Sequence, residues 1–361
     1  MSRPAVARIH LDNIVHNYQL ATSLCGAGDQ ALAVVKADAY GHGAVAVAKA
    51  LAPYTPAFAV ACIEEALELR HAGIQEPILL LEGFFSADEL PLISEHTFWT
   101  AIHRPEQLLQ IEQAQLAQPI KVWIKFDTGM HRLGFAPEQA PALVQQAQAM
   151  PAIDQIVVMT HFANADLDHP AGIDPATQVE RLFSQLQGQD IHYSLANSAA
   201  LLAHPATRKH WQRPGIMLYG ASPLQTGNSN SASLKPGMSL HSAIIATRWV
   251  EPGESVGYGS RFVAHERTKV GTVAMGYADG YPRQAVEGTP VAVNGQRTRL
   301  IGRVSMDMLT VDLTGIEQAD VGSPVELWGN QIDANDVAAH CDTIAYHLFT
   351  GVTQRVPRAY L

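Results

Sequence analysis

The run Ala31-Leu32-Ala33-Val34-Val35-Lys36, followed directly by Ala37-Asp38-Ala39-Tyr40, decides the fold of this chain. A short continuous apolar run is the pattern of a strand buried on both faces, as in a parallel sheet covered by helices. An open doubly wound sheet would follow its first strand with a Gly-rich phosphate turn. Here the first strand is followed by Lys36-Ala37-Asp38-Ala39-Tyr40 instead. Seven further runs of strand length follow, at residues 57–61, 78–82, 98–102, 120–127, 155–161, 191–197 and 215–220. Longer polar-rich segments with helical spacing separate most of them. In residues 63–73, Ile63 and Leu67 share one helical face and Gly73 stands where a helix stops. Eight such units predict a TIM-like (β/α)8 barrel over residues 1–231.

The pattern changes near residue 225. Gly227-Asn228-Ser229-Asn230-Ser231-Ala232-Ser233 is a polar linker. Short β-rich runs follow at 241–249, 269–275, 290–293, 297–301 and 308–313, with the hairpin signal Asn294-Gly295 between two of them. Residues 232–361 are therefore expected to form a second, mainly β domain.

The 361 residues are 47% hydrophobic and 16% charged, a composition that fits an ordered globular protein and argues against disorder. The net charge is −10 and no basic run stands out, which argues against nucleic-acid or anionic-membrane partners. Cys25, Cys62 and Cys341 are few, odd in number and far apart, so no disulfide framework is expected. That suits a reducing cytoplasm. The first dozen residues lack the apolar stretch of a signal peptide, and runs such as Ile78-Leu79-Leu80-Leu81 are too short to span a bilayer.

In a barrel, reactive groups sit at the C-terminal ends of strands. Lys36 closes the first run. A lysine there is costly unless it is paired, deprotonated or used covalently, for instance as a Schiff base with an aldehyde coenzyme; it can also simply snorkel to solvent. Tyr40 precedes Gly41-His42-Gly43, whose glycines permit close backbone approach to a ligand. In the fifth run, Lys125 and Asp127 share one side of the strand and Arg132 follows a Gly-containing turn. This set reads as an anion-binding group or as a structural ion-pair network. His161 ends the sixth run, and Ser198 is placed to cap a helix or to bind phosphate at its N-terminus. Arg213 opens the eighth run. The spacing of His161, Asp166, Asp168 and His169 matches no tight metal site. His42 and His131 are expected to be packing or surface residues.

Several segments together closely resemble the motifs of alanine racemases. They are residues 33–43, Lys125-Phe126-Asp127-Thr128-Gly129-Met130-His131-Arg132-Leu133-Gly134-Phe135, Asn197-Ser198-Ala199-Ala200, Arg213-Pro214-Gly215-Ile216, Val256-Gly257-Tyr258-Gly259 and Gly302-Arg303-Val304-Ser305-Met306-Asp307-Met308. Thr343-Ile344-Ala345-Tyr346-His347 and Gln354-Arg355-Val356-Pro357-Arg358 extend the likeness to essentially the whole chain. The resemblance implies a homodimer that uses pyridoxal 5′-phosphate to racemise alanine, for peptidoglycan synthesis or for alanine catabolism. Lys36 would hold the coenzyme as a Schiff base. Tyr40, Ser198, Tyr346 and the backbone of Gly215 and Ile216 would bind its phosphate. Arg213 would face the ring nitrogen, supported by His161 in a hydrogen-bond chain that reaches the catalytic Tyr258 of the partner subunit. Met306 and Arg132 would bind the substrate carboxylate, with Asp307 in support. Lys125 resembles a lysine that can be carbamylated. His347 departs from the acidic residue common at that place.

Racemisation needs a proton taken from one face of Cα and returned to the other, hence two bases. A protonated arginine at the ring nitrogen leaves that nitrogen unprotonated, a weaker electron sink that discourages side reactions. A related decarboxylase would need a functional cysteine and a late Gly-rich phosphate loop; Cys341 is solitary and no such loop follows residue 231. A serine or broad-specificity racemase would share nearly every motif, so pocket size decides between them.

Overall fold

A computed structural model describes residues 3–166 and 172–361. Seven parallel strands form one sheet in chain order: Ala33–Val34, Phe58–Val60, Ile78–Leu80, Trp99–Ile102, Ile120–Lys125, Ile153–Met159 and His192–Ser194. An α-helix follows each; the one expected at residues 63–73 is Ile63–His71, and Gly73 just beyond it has φ 94°. The eighth strand is only Trp211–Gln212. It closes the ring by pairing in parallel with Gln30–Ala31, while the Arg213 N–H donates to the Ala196 carbonyl on the other side at 2.9 Å.

The eighth run, expected as a strand at 215–220, is instead a tight helical turn, Ile216–Tyr219, ended by Gly220 at φ 84°. All four residues of the turn are buried. An apolar run without alternation carries no signal that separates a buried strand from a buried turn. Arg213 consequently ends the eighth strand rather than opening it, which puts it at the barrel mouth.

The strand Ile120–Lys125 shows how the barrel is filled. Side chains alternate, so Lys121, Trp123 and Lys125 face the same way. Lys121 lies 3.9 Å from the Trp99 ring centre and 4.8 Å from that of Trp211. Trp123 packs on the same two rings at 6.2 and 5.9 Å. Indole rings thus fill the barrel near the start of these strands, and Lys125 reaches the cavity at the C-terminal mouth.

The second sheet has eight strands. Five fall close to the β-rich runs read from the sequence: Met238–Val250, Thr268–Val273, Pro290–Val293, Gln296–Ile301 and Leu309–Asp312. Asn294 (φ 50°) and Gly295 (φ 79°) make the expected hairpin turn. Val6–Ile9 precedes the barrel in sequence yet belongs to this sheet, antiparallel to Met238–Val250 and parallel to Arg358–Tyr360. A small hairpin, Ser255–Val256 with Phe262–Val263, rests on its own core of Val250, Val256, Phe262, Ala264, Val270 and Ile301. Cys25, Cys62 and Cys341 are unpaired. No helix among the described residues is long and apolar enough to cross a membrane.

Candidate active site

The barrel mouth opens into a cavity of about 770 Å³. Its walls bring together Lys36, Tyr40, Lys125, Arg132, His161, Ser198, Arg213, Gly215 and Ile216, with Tyr346 and His347 arriving from the helix Ala345–Gly351. These are the residues singled out from the barrel sequence, and the fold gathers them at one end.

Lys36 and Tyr40 face the same cavity because of an unusual turn between them. Ala37, Asp38, Ala39 and Tyr40 all have φ between 51° and 53°, one turn of left-handed helix. Such a conformation costs L-residues roughly 1–2 kcal/mol each, so the surroundings must hold it. With 3.6 residues per turn, positions four apart share a face. The Tyr40 ring stacks on Tyr219 at 4.9 Å and lies 5.7 Å from Tyr346. Tyr219 is fixed by its hydroxyl, which donates to the Val34 carbonyl at 2.8 Å. Burial pushes the Tyr40 and Tyr346 phenols above their ordinary range, so both are neutral hydrogen-bond donors at pH 7.

Beside them, Asn197 rather than Ser198 caps the helix Ser198–Ala203, by accepting the Ala200 N–H at 3.0 Å. This frees the Ser198 hydroxyl to accept the Gly215 N–H at 2.8 Å and to sit in the cavity wall. A Cβ on Gly215 would stand 2.7 Å from the Tyr40 hydroxyl. Only glycine leaves that space open. The result is a cradle of hydroxyls and backbone N–H groups with the donor chemistry a phosphate needs.

Arg213 is buried, and burial lowers its pKa to about 10, which leaves it protonated at neutral pH. Its terminal nitrogens donate to the Ser194 carbonyl (2.8 Å) and hydroxyl (2.6 Å), the Thr160 carbonyl (2.7 Å) and the Leu195 carbonyl (3.3 Å). None of these bonds uses Nε, and none goes to His161. Three backbone carbonyls and the Ser194 hydroxyl thus fix the guanidinium. His161 is held neutral, its pKa driven well below the usual value first by burial and then by Arg213, Lys125, Arg132 and Lys36. Burial, with Arg213, Arg132 and Lys36 adding repulsion, brings the Lys125 ammonium down to about 8. Glu82 is the one carboxylate set against Lys36, Lys125, Arg132 and Arg213 among the described wall residues. A cationic, donor-rich cavity with a lysine at its wall fits a phosphate-bearing aldehyde coenzyme and a carboxylate substrate.

Three of the singled-out residues lie elsewhere. Tyr258 and Met306 line a separate recess of about 580 Å³ with Tyr277, Arg283 and Arg303. Tyr258 is 71% exposed at the tip of the small hairpin. Gly257 there adopts φ 76°, ψ −170°, a conformation essentially closed to other residues, and Gly259 has φ 70°. The two glycines of Val256-Gly257-Tyr258-Gly259 are what project the phenol outward. Met306 accepts the Ala278 N–H through its carbonyl at 3.0 Å; its own N–H has no acceptor among the described residues. Asp307 steadies this loop: its carboxylate accepts from Arg355 at 2.7 Å and its carbonyl accepts from Arg3 at 3.1 Å. Both arginines also pair with the buried carboxylate of Asp279, which sequence reasoning did not single out.

Asp127 turns back into its own loop and accepts the N–H groups of Gly129 and His131 at 2.9 and 3.0 Å. His42 is fully buried in packing and His131 is exposed. Asp168 and His169 lie outside the described residues.

The chain matches the family model of the alanine racemase N-terminal domain over residues 9–223 and that of the C-terminal domain over 237–360. It is 54% identical to an alanine racemase of Pseudomonas fluorescens over 359 residues, 99% of each chain. It is 53% identical to a catabolic alanine racemase of Pseudomonas putida over 360 residues, again 99% of each. The crystal structure of the biosynthetic alanine racemase from Pseudomonas aeruginosa superposes with a TM-score of 0.94 at 47% identity, covering 99% of each chain.

Proposed function

Since this chain belongs to the alanine racemase family of isomerases, we propose that it interconverts L- and D-alanine with pyridoxal 5′-phosphate held on Lys36, at a site completed by Tyr258 of the partner subunit. One observation carries this proposal above the rest. The cavity that holds the anion-binding groups and Lys36 lies apart from the exposed Tyr258 and Met306. Two complementary half-sites on one chain are what a head-to-tail homodimer joins.

Tyr40, Ser198, Tyr346 and the backbone of Gly215 and Ile216 would bind the phosphate, and Arg213 has Nε–H left to donate to the ring nitrogen. The bound coenzyme would supply an electron sink that lowers the acidity barrier at the substrate Cα–H. Lys36 Nζ then takes or returns the proton on one face of Cα. The phenolic oxygen of Tyr258 of the partner subunit does so on the other. A phenol needs positive charge nearby to act as a base, and Arg213, with His161 in the same cavity wall, and Arg132 provide it. Arg132 and the Met306 N–H of the partner subunit hold the substrate carboxylate.

The same reaction serves D-alanine supply for peptidoglycan and alanine catabolism, and similar proteins bear either name. The test is racemisation across a panel of amino acids by the purified, coenzyme-loaded protein. Alanine is expected to exceed serine and larger side chains by at least about 10-fold in kcat/KM, as one group of excess size costs. Equal rates for serine would instead make this a broad-specificity enzyme.

Lys125 is expected to carry a carbamate. Its Nζ attacks the carbon of CO2 and releases a proton to solvent, which turns a buried cation beside Arg132 into an anion that orients it. Only the neutral amine reacts. A pKa of about 8 leaves roughly a tenth of it neutral at pH 7, against less than about a thousandth for an ordinary lysine. High-resolution crystallography should show the carbamate on Nζ. An unmodified lysine with some other anion between it and Arg132 would refute the assignment.

A further inference from the structure

The left-handed turn that aims Lys36 and Tyr40 contains no glycine, so its conformation must be imposed from outside. At its C-terminal side the holding groups are local. Asp38 accepts the Ala44 N–H through its carboxylate at 2.7 Å and the Gly43 N–H through its carbonyl at 3.0 Å. The His42 ring bonds the Tyr40 carbonyl at 3.0 Å. At its N-terminal side the holding group is remote. Glu65, in the first turn of the helix Ile63–His71, accepts the Ala37 N–H through Oε1 at 2.7 Å and the Ala61 N–H through Oε2 at 2.7 Å. One carboxylate therefore ties the residue after Lys36 to the end of the second barrel strand.

We infer that Glu65 is a positioning residue for the coenzyme anchor: by holding the Ala37 and Ala61 N–H groups together, its carboxylate keeps residues 37–40 in the left-handed turn and sets where Lys36 and Tyr40 meet the coenzyme. Glu65 touches neither coenzyme nor substrate. An uncharged Gln at this place keeps one acceptor oxygen and loses the other, and Ala loses both. A turn released at Ala37 relaxes toward ordinary φ, and Lys36 and Tyr40 then stop sharing a face.

This inference rests on Lys36 and Tyr40 being coenzyme anchors, so the experiment begins with borohydride trapping and peptide mapping of the wild type. Apo-protein is then titrated with pyridoxal 5′-phosphate, following visible absorbance, for wild type, Glu65→Ala, Glu65→Gln and Leu69→Ala. Leu69 is fully buried in the same helix and serves as a purely structural control. Apo-protein Tm is measured for each. Glu65→Ala is expected to bind coenzyme on the order of 10- to 100-fold more weakly, with Glu65→Gln in between. Leu69→Ala should lower Tm at least as far while its coenzyme affinity stays within about threefold. Coenzyme trapped on Lys36 with Glu65→Ala and Glu65→Gln both binding as tightly as wild type would overturn the role of Glu65 alone. Equal weakening in Leu69→Ala would overturn it too, by showing a general effect of destabilisation. Trapping on another lysine would overturn the anchor assignment and the inference together.

Discussion

Lys36→Ala protein is expected to retain no borohydride-trappable coenzyme and to racemise alanine at least about 10⁴-fold more slowly than wild type, having lost both a covalent attachment and a base. The fold should survive. Lys36 stands with Lys125, Arg132 and Arg213 around one cavity, so its removal relieves repulsion rather than leaving a charge unpaired. The same repulsion from Lys36 helps lower the Lys125 pKa. In the variant, the Lys125 pKa should therefore move up toward its ordinary value, and less of the amine should be neutral at pH 7. Titration of the free Lys125 amine in the coenzyme-free forms of both proteins, with CO2 excluded, checks this. Substantial racemisation by Lys36→Ala would remove Lys36 from the mechanism.

Tyr258→Phe should lower racemisation in both directions by roughly 10²- to 10⁴-fold, the usual contribution of one acid–base group. Both directions must fall together, because a catalyst cannot move an equilibrium that symmetry fixes near one. Coenzyme binding should survive, since Phe removes only the hydroxyl and keeps the ring, while the groups that would hold the coenzyme line the barrel cavity of the other chain. Exchange of the Cα proton with solvent deuterium separates the two bases. With the phenol gone, Lys36 should still exchange D-alanine while L-alanine exchanges far more slowly. The opposite asymmetry would reverse the two roles.

The barrel was legible because parallel strands buried on both faces leave continuous apolar runs, and helices such as Ile63–His71 announce their stop with Gly73. Local pattern failed where pairing is remote. Nothing in Val6–Ile9 says that it pairs with Met238–Val250 more than two hundred residues away. It failed again at Ile216–Tyr219, where full burial erases periodicity. In the site, Lys36, Lys125 and Arg213 stood out as charges at buried strand ends. Glu65 and Asp279 did not, because an acidic residue in a helix or loop looks like solvated surface until its partners are known. The left-handed turn was invisible for a related reason: it contains no glycine, and Asp38 alone is of a type that visits positive φ, as single residues rather than in a run of four. Tyr258 was found only through the resemblance, although the glycines flanking it were a usable sign of a projected side chain.

The central claim is that each active site takes Lys36 from one chain and Tyr258 from its partner. Mixing inactive Lys36→Ala and Tyr258→Phe subunits, with exchange verified by mass-tagged chains, tests it most directly. Random reassortment makes about half the dimers mixed, and each mixed dimer holds one intact site in two. Recovery to about a quarter of the wild-type racemisation rate is the expected result. Fully exchanged subunits that stay as inactive as either parent would contradict a shared site.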